Sequence, residues 1–145
     1  MGSIREIMST DLKTVTAKET IFDIAMLMKN NDIGFVPVVE GNKLKGVVTD
    51  RDLVVRGYAN KQSDSVSAAE VMSDNIAVIS PDTSIDDAAQ LMFDQKVRRL
   101  PVVEKGGLVG VVALADLAVR KQSDEHAGRA LSGISENVDH RNYVQ

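Results

Sequence analysis

The stretch Gly46-Val-Val-Thr-Asp-Arg-Asp-Leu-Val-Val-Arg56 returns 64 residues later as Gly110-Val-Val-Ala-Leu-Ala-Asp-Leu-Ala-Val-Arg120. The second copy keeps the aspartate and the arginine but has Ala113 where the first has Thr49. Working outward, residues 5–56 align with residues 69–120 without a gap, with 20 identities in 52 positions. Among them are Met8/Met72, Asp23/Asp87, Met28/Met92, Pro37/Pro101, Gly46/Gly110, Asp52/Asp116 and Arg56/Arg120. A match this long without a gap makes the two halves copies of one fold unit. The expected boundaries are 4–57 for the first repeat, 58–68 for a polar, serine-rich linker, 69–121 for the second repeat, and 122–145 for a C-terminal helix and tail.

Each copy parses alike. Leu12–Thr16 reads as a short strand, followed by a helix whose apolar face is Ile21, Ile24, Ala25 and Met28 at i, i+3, i+4 and i+7. The second copy repeats that face with Ile85, Ala88, Ala89 and Met92. Phe35–Val39 is a β-branched strand whose proline should sit where no ladder donor is needed. Glu40-Gly-Asn-Lys43 is a hairpin turn, Leu44–Thr49 the returning strand, and a second helix runs over Arg51–Tyr58. A unit of roughly 50 residues buries too little surface alone. The predicted fold is therefore α/β (α+β): two β-α-β-β-α repeats packed sheet to sheet with pseudo-twofold symmetry and a cleft at the seam. Met28 and Met92 fill the core.

Composition removes several classes of function. The net charge is −4, no long basic run occurs and only 3% of residues are aromatic, which argues against nucleic acid as a partner. No apolar run approaches the ~18 residues of a membrane span. The first residues lack the apolar core of a secretion signal. The absence of cysteine excludes disulfides and thiolate catalysis and fits a cytoplasmic protein. His126 and His140 lie in the tail with no nucleophile paired to them, so an enzyme is the weaker class. Asp50 and Asp52 are two apart and do not face each other at a helix start.

Two readings fit the repeated phrase. In the first, Thr49-Asp-Arg-Asp52 is a capping box that starts the helix. In the second, the strand-to-helix junction seats an anion: Thr49 donates to phosphate, Arg51 neutralises charge, and Asp52 accepts from ribose hydroxyls. Asp116, kept where Ala113 has removed the capping partner, suggests a task beyond capping. Arg98 and Arg99 stand where the first copy has Gly34 and Phe35, and strand alternation lets at most one of them face a given cleft.

Taken together, Val36-Pro-Val38 and Leu100-Pro-Val102, the G-h-h-T-x-x-D phrase at Gly46–Asp52 (h, apolar), Met8-Ser9 with Met72-Ser73, and Arg98-Arg-Leu-Pro-Val102 resemble a tandem pair of CBS (cystathionine β-synthase) domains, called a Bateman module. The resemblance covers residues 4–120. It implies a regulatory sensor without a catalytic domain that binds AMP, ADP or ATP in the cleft between the repeats, with NAD or S-adenosylmethionine as further ligands of such modules. It assigns ribose to Asp52 and Asp116, and phosphate to Thr49; the reading of the residues themselves adds Arg51, Arg98 and Arg99 as candidates for phosphate charge. Val15, Thr16, Val36 and Pro37 are candidates for the adenine wall, with Val78, Ser80, Leu100 and Pro101 as counterparts. It implies no catalytic residue, no metal site and no cofactor beyond the nucleotide, any magnesium arriving with phosphates. It also implies a homodimer and a separate effector protein. The competing class is a docking module that keeps the fold without a small ligand. In the tail, Ala127, Ala130, Leu131 and Ile134 form an apolar stripe that predicts a helix over 124–134.

Overall fold

The computed structural model describes residues 2–122, so the expected tail helix lies outside the described residues. The order is a 3-10 turn at Ile4–Glu6, α1 (Ile21–Asn31), β1 (Phe35–Glu40), β2 (Lys43–Thr49) and α2 (Asp50–Asp52), which runs directly into a π-helical turn at Leu53–Tyr58. Then come α3 (Ala68–Val71), α4 (Ile85–Gln95), β3 (Arg99–Glu104), β4 (Gly107–Ala113) and α5 (Leu114–Gln122). The fold is mixed α+β with two two-stranded sheets, β1–β2 and β3–β4. No described helix is long and apolar enough to cross a membrane.

The chain divides into two compact units whose limits differ from those of the repeats. Of the described residues, one, the first-repeat unit, holds Asp11–Ile76 with Lys105–Leu108; the other, the second-repeat unit, holds those up to Thr10, Ala77–Glu104 and those from Val109 to Gln122. Each repeat has therefore given its leading segment to the other's unit. In the second-repeat unit, Ile4 is fully buried in a core with Ile79, Ile85, Met92, Leu100, Val112 and Leu117. In the first-repeat unit, Ala68 and Val71 (Ala68 being the repeat counterpart of Ile4) are buried with Val15, Ile24, Met28, Val36, Val38 and Val48. The linker expected over 58–68 is not a free segment throughout. Its later residues are stitched to the start of α1, where Ile21 N–H donates to Val66 O at 2.8 Å and Phe22 N–H to Asp64 O at 3.3 Å. Those are first-turn donors with no partner inside the helix, which is why the chain settles there.

Both long helices begin on a hydroxyl cap, Thr20 accepting from Asp23 N–H at 3.1 Å and Ser84 from Asp87 N–H at 3.0 Å. Both end on a left-handed residue, Asp32 and Lys96. The α4 face is as expected, with Ile85, Ala88, Ala89 and Met92 all buried. In α1 only Ile24 and Met28 are buried; Ala25 is exposed, and Leu27 packs on the core instead. That face is centred on Ile24 and Met28, and the wheel carries Ala25 out on one flank as it brings Leu27 in on the other.

The expected strand Leu12–Thr16 reduces to one parallel bridge, Val15 to Val38. Val15 N–H donates to Pro37 O at 3.1 Å and Val39 N–H to Val15 O at 2.8 Å. Extending that parallel ladder towards Lys13 would require the N–H that Pro37 lacks, so the proline stops it. Pro101 plays the same part beside Ile79, which bridges Val102. Within the hairpin Pro37 is harmless, because its partner Val47 sends its own N–H to Ser73 O at 2.9 Å. The second helix of the first copy also differs from expectation. It starts at Asp50 and then winds as a π turn, with Ala59 N–H donating to Val54 O at 2.7 Å. The second copy stays α-helical through Gln122.

Candidate functional site

Thr49 closes β2 and Asp50 opens α2. Thr49 Oγ1 accepts from Asp52 N–H at 3.1 Å, and Asp52 Oδ2 accepts from Thr49 N–H at 2.9 Å, a complete capping box. The box uses one oxygen of the carboxylate and the acceptor side of the hydroxyl. Among the described residues the hydroxyl proton and Asp52 Oδ1 have no hydrogen-bond partner, and Oδ1 lies 4.0 Å from Arg56 Nε. The Asp52 side chain is only 13% exposed, so its outward oxygen sits in a defined setting. Asp50 lies over Gly34, where a Cβ would come within 2.8 Å of Asp50 Oδ2. Arg51 is exposed, its guanidinium without an ion-pair partner among the described residues.

In the second copy Leu114 N–H donates to Arg98 O at 2.8 Å, and Leu114 is buried where Asp50 is exposed. Asp116 stands in the first turn of α5, exposed and free of any side-chain hydrogen bond among the described residues. A carboxylate there is favoured by the helix end alone. The two repeated aspartates are thus unlike: Asp52 is built into a box, whereas Asp116 is loose. Arg98 and Arg99 are both exposed.

The other candidates separate by burial. Val15, Val36 and Leu100 are packed inside the two cores. Pro37 and Pro101 are buried too. Thr16, Val78 and Ser80 are exposed. Thr16 N–H donates to Glu19 Oε1 at 3.0 Å, and Ser80 bonds Thr83 within its own turn.

Several of the repeat's identities serve a purpose that spacing did not reveal: they hold the exchanged segments. A Cβ on Gly46 would lie 2.7 Å from Ser73 O and 2.9 Å from Met72 Sδ; on Gly110 it would lie 2.7 Å from Met8 Sδ and 3.1 Å from Ser9 O. Ser73 and Val47 exchange both backbone hydrogen bonds, as do Ser9 and Val111. Arg56 Nη1 donates to Met72 O at 2.9 Å, with Val71 O at 3.5 Å, while Arg120 pairs with Glu6. Glycine, Met-Ser and arginine are thus one clamp written twice. The paired identities were the signal, and only the exchange of segments explains them. Arg120 also holds the Glu6 carboxyl below its ordinary range, chiefly through that hydrogen bond, then through its charge, with the Ser3 backbone helping.

Among the described residues no group of three or more His, Cys, Asp or Glu side chains comes together to hold a metal. The CBS domain family model matches residues 4–57 and 68–121. The chain is 44% identical over 140 residues to the CBS domain-containing protein YhcV of Bacillus subtilis, covering 97% of this chain and 100% of that protein. Among solved structures it is similar to Hypoxic Response Protein I with two coordinated zinc ions, with a TM-score of 0.76 at 34% identity over 83% of this chain and 99% of that one. It is also similar to CBSX2 in complex with AMP, with a TM-score of 0.77 at 25% identity over 86% and 99% of the two chains. With the repeat, the paired hairpins and the family match in agreement, this chain belongs to the CBS domain family and carries two such domains in tandem.

Proposed function

We infer that this protein is a regulatory sensor of adenine nucleotides, of the AMP, ADP or ATP type, working without a catalytic centre of its own. Paired CBS domains are regulatory modules. The observation that carries the reading is the division of labour at Thr49–Asp52. The box leaves the Thr49 hydroxyl proton available to an acceptor and one carboxylate oxygen, Asp52 Oδ1, available to donors. A nucleotide offers the complement, phosphate oxygens for Thr49 and a ribose diol for Asp52. Exposed Arg51 adds positive charge beside that phosphate, and Asp116 with Arg98 and Arg99 forms the lesser seat. The AMP complex of the similar CBSX2 supports the choice of ligand class.

The reading includes a homodimer that acts on a separate effector in the cytoplasm. What supports pairing is an apolar face on α1 and the π turn, where Phe22 is 53% and Tyr58 84% exposed beside Met26 and Val55. The second-copy counterparts of Phe22, Met26 and Tyr58 are Asp86, Gln90 and Gln122. Phe22→Asp is expected to lower the sedimentation coefficient to that of a monomer.

The test of the ligand is thermal unfolding against AMP, ADP, ATP, NAD and S-adenosylmethionine. A ligand at 100 times its Kd adds about 2.7 kcal/mol, which for a chain of this size raises Tm by about 5–10 °C. Asp52→Asn, which keeps an oxygen for the Thr49 N–H, should abolish the shift, whereas Asp116→Ala should retain it. No shift with any of the five, in nucleotide-free protein, overturns the reading.

A further inference from the structure

We propose that Arg56 is a positioning residue that couples nucleotide at Thr49–Asp52 to the exchanged segment Ala68–Ser73. The inference rests on the nucleotide reading above and names its output. Arg56 stands between the two: its Nε is 4.0 Å from Asp52 Oδ1, and its Nη1 is 2.9 Å from Met72 O and 3.5 Å from Val71 O. Because Asp52 Oδ2 is committed to Thr49 N–H, Oδ1 is the oxygen for which Arg56 and a ribose hydroxyl compete. A diol donating to Oδ1 weakens the carboxylate's pull on Nε, and the guanidinium settles fully on the two carbonyls that end α3.

The consequence falls on Met72 and Ser73, whose N–H groups donate to Ala68 O at 2.9 Å and Val47 O at 2.8 Å. Tightening there acts where the chain leaves the first-repeat unit, which ends at Ile76. Two further observations favour this route. Arg56 sits in a π turn, a winding that recurs at functional sites and that the same-length second copy does not adopt. In the second-repeat unit the equivalent Arg120 pairs with the Glu6 carboxylate, whereas in the first the carboxylate within reach of Arg56 is Asp52 of the candidate seat itself.

The experiment is amide hydrogen exchange on the full chain with and without AMP, repeated with ATP, with binding measured on the same samples by calorimetry. In the wild type, bound AMP should slow exchange at Met72 and Ser73 about fivefold more than at Val39, the factor a partly exposed ion pair commands. Arg56→Ala should still bind AMP while Ser73 merely tracks Val39. Should that variant fold poorly, Arg56→Gln keeps one donor for the Met72 carbonyl but not the charge that Asp52 attracts, and should give the same loss of selectivity. Binding accompanied by uniform slowing, or by selective slowing that survives in Arg56→Gln, overturns the coupling and leaves the sensor reading intact. The absence of binding heat from both nucleotides, together with no thermal shift from any of the five ligands named above, overturns the reading and the coupling together.

Discussion

At Gly46 and Gly110 the missing side chain makes room for a methionine sulfur and a serine carbonyl from the exchanged segment. Gly46→Ala would drive a methyl against backbone and should cost about 1–3 kcal/mol in urea denaturation. Thr49→Ala removes one half of a reciprocal box and should cost about 0.5–2 kcal/mol. Asp116→Ala, at an exposed carboxylate without a bond, should change stability far less. The pair of variants measures the capping contribution at Thr49 against an exposed aspartate at the equivalent helix start. Glu6 adds a pH dependence. Since Arg120 lowers its folded pKa, its contribution is complete above the ordinary carboxylate range and is lost as pH falls through the lowered value. In a series of melts from neutral to acid pH, Glu6→Gln should therefore lose less stability than the wild type. Both residues of the box and the repeated aspartate were legible in the sequence, since capping chemistry is local. The commitment of Oδ2 and the freedom of Oδ1 were not, because they depend on which way the carboxylate turns.

Among the elements, α4 buries the whole of its expected apolar face, whereas α1 buries only Ile24 and Met28 of the expected four, and the helix expected over Arg51–Tyr58 winds as a π turn from Leu53. The hairpins followed their sequence signals, with Lys105 and Gly106 both at positive φ, as a two-residue turn of that hand requires. The first strand of each repeat did not, since its β-branched residues suggested a ladder that the proline of the neighbouring strand cuts to one bridge. Ile4 shows how much a short element can carry. It lies in a three-residue turn yet is fully buried in the second-repeat unit. Ile4→Ala should destabilise the protein by about 2–5 kcal/mol in chemical denaturation. Arg5→Ala, its exposed neighbour paired with Glu104, should change stability far less.

For the molecule as a whole, the unit of folding is not the unit of repetition. A fragment of residues 4–57, the length of one sequence repeat, keeps Ile4 without its core and lacks the Ala68 and Val71 that close its own. It should show no cooperative thermal transition by circular dichroism, whereas a fragment of residues 11–76 should show one. A sharp transition in the shorter fragment would mean that the exchanged segments add little. The same exchange ties the two repeats together, because the chain between the copies is itself part of a core.

The sequence by itself determined the duplication, the α+β elements, the family and the candidate phrase, because each is written in local periodicity or in identities at one offset. Tertiary structure alone decided which core each leading segment completes, that Val15, Val36 and Leu100 are packed inside, and that Arg56 lies between Asp52 and Met72. Those are contacts between residues distant in the chain. Their partners are chosen by which buried surface and which unpaired carbonyl the folded chain brings within reach, and no spacing along the sequence encodes that choice.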